Sequence, residues 1–177
     1  EGITATELTN MIQRDMTIFP LAYGTNKPLG NSKSEPDRYG HRYYANGSRI
    51  YGVVDATSYL RTVAQMFHAR ECDEASAYNM GVSCKNFTAL DFDDFWSKNT
   101  QNYVKELRRI IGDFDEAAVV LTPGGYHEEG GHGPGVHLIV KKFTGIKSGH
   151  IIPSALDIKN DSHSYICGAG SVRPRGV

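Results

Sequence analysis

The chain has 177 residues, a formal net charge of −1 and 40% hydrophobic residues, values that are typical of one ordinary globular domain. It has no apolar run near the roughly 20 residues that a membrane-spanning helix needs. Its small net charge argues against a protein that binds polyanions over its whole surface. Acidic residues concentrate in 71–130 and basic residues in 131–177, which leaves room for one local anion-binding face.

The beginning of the chain and its sequons predict a secreted protein. Residue 1 is Glu rather than Met, and no charged-then-apolar signal region precedes the fold, as in a processed mature chain. Three Asn-x-Ser/Thr sequons begin at residues 46, 86 and 160, and these are glycosylation acceptors in a eukaryotic secreted protein.

The cysteines form an odd set of three. In an oxidising compartment this set leaves one disulfide and one free thiol. Cys72 and Cys84 are the candidates for the disulfide. Buried, reduced cysteines are the alternative.

The first half of the chain predicts a helix, a loop and a hairpin. Residues 4–16 predict a helix that begins with Thr4 at capping-box spacing from a glutamate. Residues 20–36 are rich in Gly, Asn, Ser and Pro, which predicts a flexible loop. Residues 42–54 contain two β-prone runs around Asn46-Gly47, the dipeptide that favours a two-residue hairpin turn.

Two amphipathic helices are predicted next. Residues 56–70 place apolar side chains at helical spacing after a capping residue. Residues 91–111 predict a longer helix, with Asp91 as its N-cap and Gly112 as its stop.

The last third of the chain predicts strands. Four short β-rich runs separated by Gly or Pro occupy residues 117–122, 136–143, 150–158 and 164–170. The element order predicts an α+β fold with a mainly antiparallel sheet, an N-terminal hairpin, a long amphipathic helix and C-terminal strands. We expect a single domain over 1–177 with an exposed tail at 171–177.

The stretch "HEEGGHGPGVH" is the main candidate for chemistry. His127, His132 and His137 supply imidazole donors for a divalent metal such as zinc, with glutamates beside them. A helical zinc-protease motif is excluded, because its histidines stand four apart on one helix face and these stand five apart around Gly-Gly. A glycine-rich loop can still fold its flanks over one ion.

Metal-free proton transfer is the second interpretation of this loop. His132 and His137 would act as acid and base, since imidazole titrates near neutrality. Glu129 or His127 would orient them, and Lys141 or Arg42 would bind a developing anion. An exposed connection with no chemical role is the alternative, although this loop is longer than the roughly two to five residues usual between hairpin strands.

The predicted hairpin interleaves arginines with tyrosines. Arg42 can hold a phosphate, and Tyr43 and Tyr44 can stack on bases or sugars, so this hairpin is a candidate surface for a nucleic-acid, glycan or cell-surface ligand. The same alternation is also how a two-stranded ribbon packs one face and exposes the other to water.

These patterns lead to one functional hypothesis and one rival. The hypothesis is a small secreted enzyme or toxin-like effector, a hydrolase of phosphodiester or amide bonds that uses the histidine loop for acid–base or metal-assisted cleavage. The rival is a non-catalytic secreted module that binds its partner through the Tyr/Arg hairpin.

Overall fold

The protein's structure, a computed structural model, describes residues 3–28, 52–68, 78–112, 117–122, 135–152, 155–168 and 170–171. Within these ranges the chain forms three α-helices and two antiparallel sheets, of three and five strands. The predicted α+β class with a mainly antiparallel sheet is therefore confirmed. None of the described helices is long and apolar enough to cross a membrane.

Local sequence explains where the helices begin. The three helices are α1 (Ala5–Gln13), α2 (Leu60–His68) and α3 (Lys98–Ile111). The capping box predicted at Thr4 is present, with the Thr4 hydroxyl accepting from the Glu7 backbone N–H and the Glu7 carboxylate accepting from the Thr4 N–H. Ser97 caps α3 in the same way through the N–H of Thr100.

The smaller sheet contains three antiparallel strands in the order β1-β2-β8. Its strands are β1 (Ile18–Leu21), β2 (Asn79–Ser83) and β8 (Tyr165–Cys167). Gly81 pairs directly with Phe19, and a β-carbon at Gly81 would lie 2.4 Å from the Phe19 ring. Glycine at this position therefore makes room for the buried phenylalanine ring.

The larger sheet contains five antiparallel strands in the order β4-β5-β3-β7-β6. Its strands are β3 (Phe87–Phe92), β4 (Ala118–Thr122), β5 (Gly135–Lys141), β6 (Gly149–Ile152) and β7 (Leu156–Lys159). The central strand β3 thus pairs with β5 on one side and β7 on the other.

The two faces of the larger sheet contribute to different cores. One face supplies Leu90, Phe92, Leu138 and Leu156 to a core with Val104 of α3. The opposite face supplies residues to the core that α1, α2 and the smaller sheet also form, and they are Phe87, Ala89 and Ile139. Burying each large side chain contributes about 1.5–3 kcal/mol, so both faces of the central strands are held by packing.

The helix predicted over 91–111 is wrong in its first third. Residues 87–92 form strand β3, and α3 begins only at Lys98. Asp91, predicted as the N-cap, is therefore a strand residue. The misassignment arose because β3 is covered on both faces, and such a strand shows a run of apolar residues that periodicity does not distinguish from a helix.

Other predicted boundaries also shift. The run predicted as one strand over 150–158 is two antiparallel strands, β6 and β7, because the chain reverses between them, where the N–H of Ala155 donates to the Ile152 carbonyl at 3.0 Å. The loop predicted over 20–36 begins inside β1, and Leu21 pairs with Pro28 across a turn. The rest of that loop lies outside the described residues.

The predicted hairpin and tail lie mostly outside the described residues. At the end of the hairpin, Gly52–Asp55 form a 3-10 turn rather than a strand. At the start of the tail, the Ser171 hydroxyl accepts from the N–H of Met80 and donates to its carbonyl. Ser171 is therefore tied to β2, and the rest of the predicted tail lies outside the described residues.

Candidate functional site

A row of polar residues crosses the larger sheet on one face. His137 of β5 pairs with Asp91 of β3, Asp91 pairs with Asp157 of β7, and Asp157 pairs with His150 of β6. These four residues occupy directly opposite positions on adjacent strands, so their side chains are neighbours. Their neighbours along the strands, Ala89 and Ile139, are buried in the core, so the row lies at the edge of a packed surface.

His137 and Asp91 form a largely buried pair within this row. The Nε2 atom of His137 lies 3.0 Å from Oδ1 of Asp91, and only 9% of the histidine side chain is exposed. Its other ring nitrogen, Nδ1, is buried and has no hydrogen-bond partner among the described residues. Buried polar atoms are normally satisfied, and a neutral imidazole that donates from Nε2 has an acceptor at Nδ1. His137 thus keeps one buried ring nitrogen without a partner among the described residues.

The ionised form of Asp91 is stabilised by its neighbours. Burial, the largest single influence, would raise its pKa, but the hydrogen bond and charge of His137 and those of Lys159 together lower the pKa below its usual value. Asp91 therefore stays negatively charged at neutral pH and fixes the orientation of the imidazole.

Lys159 places a positive charge between two carboxylates. Its Nζ atom lies 3.2 Å from Oδ2 of Asp91 and 3.8 Å from Oδ2 of Asp157. Like charges directly opposite each other on adjacent strands destabilise a sheet, and the ammonium group offsets this repulsion. The remaining oxygen of Asp157 contacts Nδ1 of His150, whose side chain is 80% exposed.

A pocket of about 230 Å³ opens beside this row. Asp91, His137 and Lys159 form its wall on the larger sheet. The remaining described lining residues are Asn26, His163, Ser164, Tyr165, Ile166 and Cys167. The pocket therefore lies between the polar row and strand β8 with the loop that precedes it.

Hydrogen bonds hold that second wall in place. Asp161 accepts from the backbone N–H groups of His163 and Ser164, both at 2.8 Å. The hydroxyl of Tyr165 donates to the carbonyl of Asn26 at 2.9 Å. Both walls of the pocket are thus formed by groups with fixed positions.

The structure places the predicted site residues as follows. His137 lies in the pocket. Lys141 is exposed at the far end of β5, opposite Phe87, and does not line the pocket. The other predicted residues lie outside the described part of the chain, namely His127, Glu129, His132, Arg42, Tyr43 and Tyr44.

Sequence reasoning missed three residues of this site. Asp91 was assigned to a helix cap, and no role was predicted for Lys159 in β7 or for its neighbour Asp157 as a partner of Asp91. A signal was present in β7, where Asp157 and Lys159 alternate with buried Leu156 and Ile158. This alternation indicates one polar face, but not which strands lie beside it.

Cys84 is a poor candidate for a nucleophile. The thiol is buried and bonds to no other cysteine of the described chain, and burial raises its pKa to about 12, although the charges of Lys159 and Lys142 oppose this shift. Cys72, its partner in the predicted disulfide, lies outside the described residues, so the pairing stays a prediction.

We therefore expect Cys84 to resist alkylation in the folded protein, since the thiolate is the reactive form. Iodoacetamide at pH 8, followed by peptide mass spectrometry, should label Cys84 at least about tenfold more slowly before unfolding in guanidinium than after it. Equal labelling rates in the two states would show that the thiol is accessible and ionisable in the fold.

No group of three or more His, Cys, Asp or Glu side chains within the described ranges has the spacing of a preformed metal site. The zinc site predicted at His127, His132 and His137 depends on residues 127 and 132, which fall outside those ranges. Asp91 and Asp157 are the described pair of carboxylates best placed to bind a cation together, and the Lys159 ammonium bridges them.

Comparison of the chain with known protein families, with curated proteins and with solved structures finds no match.

Proposed function

We propose that the protein is an enzyme that acts on phosphate esters, with the pocket as its active site and a divalent cation as its cofactor. The observation that carries this proposal is the register of the larger sheet. It aligns His137, Asp91 and Asp157 on three adjacent strands beside a pocket that Lys159 also lines.

The carboxylate pair favours a divalent cation. Magnesium and similar hard cations bind carboxylate oxygens and commonly use only one or two carboxylates together with substrate phosphates. Asp91 and Asp157 share the Lys159 ammonium, so a divalent cation bound between them would take the place of this ammonium and release it for the substrate.

The charges that line the pocket favour an anionic substrate. Asp91 is the one carboxylate among the described lining residues, and it is paired with His137 and Lys159. The lining also contains the imidazole of His163. A bound cation would neutralise charge on a phosphoryl group and lower the pKa of a coordinated water, and Lys159 would add a second positive charge for phosphate oxygens.

Metal-free acid–base hydrolysis is the second candidate, and the buried Asp91–His137 pair favours it. A carboxylate that fixes one imidazole nitrogen and leaves the other facing a ligand is the arrangement of a general base. In this mechanism Asp91 orients His137, and Nδ1 takes the proton from the attacking water.

Metal dependence tests the proposal and separates the two candidates. We expect chelator-treated protein to cleave bis(p-nitrophenyl) phosphate only after Mg²⁺ or Mn²⁺ is added, and we expect Asp157→Asn to lower that activity at least about tenfold, since it removes one carboxylate of the pair. Asp15→Asn is the matched control, because it makes the same change at an exposed turn outside the row.

The outcomes are distinct. Activity that needs no metal and survives Asp157→Asn would favour the acid–base mechanism. If the protein cleaves no phosphodiester with any divalent cation or without one, the proposed function is wrong.

A further inference from the structure

The wall of the pocket opposite the polar row carries a second imidazole. His163 belongs to the segment between β7 and β8 and lines the same pocket as His137 and Lys159. It is exposed to solvent, and its side chain makes no hydrogen bond or ion pair to any described residue. No contact with the described residues therefore gives this imidazole a structural role.

The backbone around His163 is nevertheless held tightly. Oδ1 of Asp161 accepts from the N–H groups of residues 163 and 164, and Oδ2 accepts from the Ser164 hydroxyl at 3.1 Å. The Ser164 hydroxyl also lies 3.0 Å from the hydroxyl of Ser148, which accepts from the N–H of Asn160 at 2.7 Å. These bonds join the 160–164 segment to the loop before β6.

The ionised form of Asp161 is stabilised by these hydrogen bonds. A hydrogen bond from Ser148, with those from the N–H groups of His163 and Ser164, lowers the pKa of Asp161 below its usual value, while slight burial opposes the shift. Because these bonds use the carboxylate as an acceptor, it stays ionised at neutral pH and acts as an anchor for the loop.

The pocket lining contains a second imidazole with an unpartnered nitrogen. Nδ1 of His137, on the opposite wall, is buried without a partner among the described residues. Besides the phenol of Tyr165 and the thiol of Cys167, the titratable groups that line the pocket in the described chain are Asp91, His137, Lys159 and His163. The Lys159 ammonium on one side and the His163 imidazole on the other carry N–H donors, so an anion that enters between the walls meets a donor on both sides.

We propose that His163 is a substrate-binding residue that donates a hydrogen bond to a phosphate oxygen from the wall opposite Lys159, and that Asp161 is its positioning residue. This inference rests on the proposed function, since it assigns the substrate's anionic group a second point of attachment. A phosphate that accepts hydrogen bonds from both walls is fixed in orientation as well as in position.

Binding of inorganic phosphate tests this assignment without requiring turnover. Titration calorimetry of the full chain with sodium phosphate in the presence of Mn²⁺ should give a Kd about tenfold higher for His163→Ala than for the unchanged protein. His163→Asn, which retains an N–H donor, should recover part of the affinity. Asp161→Asn should weaken binding by about threefold or more, because the loop loses its anchor.

Ser162→Ala is the matched control, since residue 162 is exposed in the same segment and does not line the pocket, and its Kd should be unchanged. His163 is exposed, so its variants should melt at the same temperature as the unchanged protein. Circular dichroism compares the fold of Asp161→Asn with that of the unchanged protein.

Each result decides the proposal. A Kd that is the same for His163→Ala and the unchanged protein overturns the role of His163 and leaves the proposed function standing if metal-dependent cleavage is seen. Absence of phosphate binding by the unchanged protein overturns the role of His163, while the cleavage assay judges the proposed function separately. Equal weakening by Ser162→Ala would assign the effect to the loop as a whole and also overturn the role of His163.

Discussion

Replacing Asp91 by Asn is expected to reduce phosphodiester turnover by about a hundredfold or more while the fold is retained. Asn has nearly the same shape, so the packing of β3 between β5 and β7 is preserved. The amide carries no charge, and it can neither hold a cation with Asp157 nor fix the imidazole of His137 as an ionised carboxylate does. Loss of a correctly oriented partner of this kind commonly costs 10- to 100-fold even when it lies one contact away from the reaction.

Two measurements separate loss of chemistry from loss of structure in this variant. Steady-state kinetics with saturating Mn²⁺ should show a lower kcat, and far-UV circular dichroism should show an unchanged spectrum. Asp15→Asn again serves as the control. A variant at Asp91 with full activity would show that the carboxylate has a structural role alone, and it would contradict both candidate mechanisms.

The same variant should change how stability depends on pH. The pKa of Asp91 is lower in the folded chain than the value of about 3.9 expected in an unfolded one. Its contribution to stability is therefore fully present above that unfolded value and is lost as the pH falls through the lower folded pKa. The melting temperature of the unchanged protein should drop between pH 5 and pH 2, and Asp91→Asn should show a shallower drop.

The position of Asp91 also shows why the site was only partly predictable. The sequence places an aspartate before apolar residues at helical spacing, which is a good local signal for a helix cap. The structure overrides this signal with contacts from distant parts of the chain, since β5 and β7 follow β3 by more than 40 residues. Local helix propensity is easily overridden by such long-range strand pairing.

The register of the sheet was the missing information. Strand geometry puts His137 on the face opposite that of Val136 and Leu138. Of β5 and β7, only β7 shows an alternation of burial that marks a polar face, because the first five residues of β5 are all buried. A shift of one residue in pairing would turn the whole polar set to the other face. Only the paired structure shows that positions 137, 91 and 157 are neighbours.

Elements that depend on local chemistry were predicted more successfully. The capping box at Thr4, the glycine stop at Gly112 and strand β4 all occur close to their predicted positions. Each is determined by side chains within a few residues of one another. The contrast explains why the fold class was predicted correctly while the partners of His137 were not.

His137→Ala is the second substitution for which we expect a large effect, a loss of activity of about tenfold or more. If Nδ1 acts as the base, removal of a general acid–base group costs roughly 10²- to 10⁴-fold. If His137 instead orients Asp91 beside a cation, the expected loss is smaller, about 10- to 100-fold. The size of the loss therefore bears on which mechanism operates.

Stability should change far less than activity in this variant. Asp91 loses one hydrogen bond but keeps the Lys159 ammonium 3.2 Å away, so the expected cost in unfolding free energy is about 1–3 kcal/mol. Thermal melting checks this value. A variant that fails to fold would show that His137 is needed for folding. The activity of His137→Asn, which keeps a donor for Asp91, would then test the catalytic role.

Lys141→Ala is the internal comparison for His137→Ala, because both residues belong to β5 and only His137 lines the pocket. Lys141 lies at the exposed end of the strand, opposite Phe87, so its removal should leave kcat and KM within about twofold of the original values, as for most surface changes away from a site. A large loss on removing Lys141, with His137→Ala active, would move the site away from the pocket. The opposite pattern would place the reacting group beside Nδ1 of His137, where the aligned register of β5, β3 and β7 brings the imidazole and the two carboxylates together.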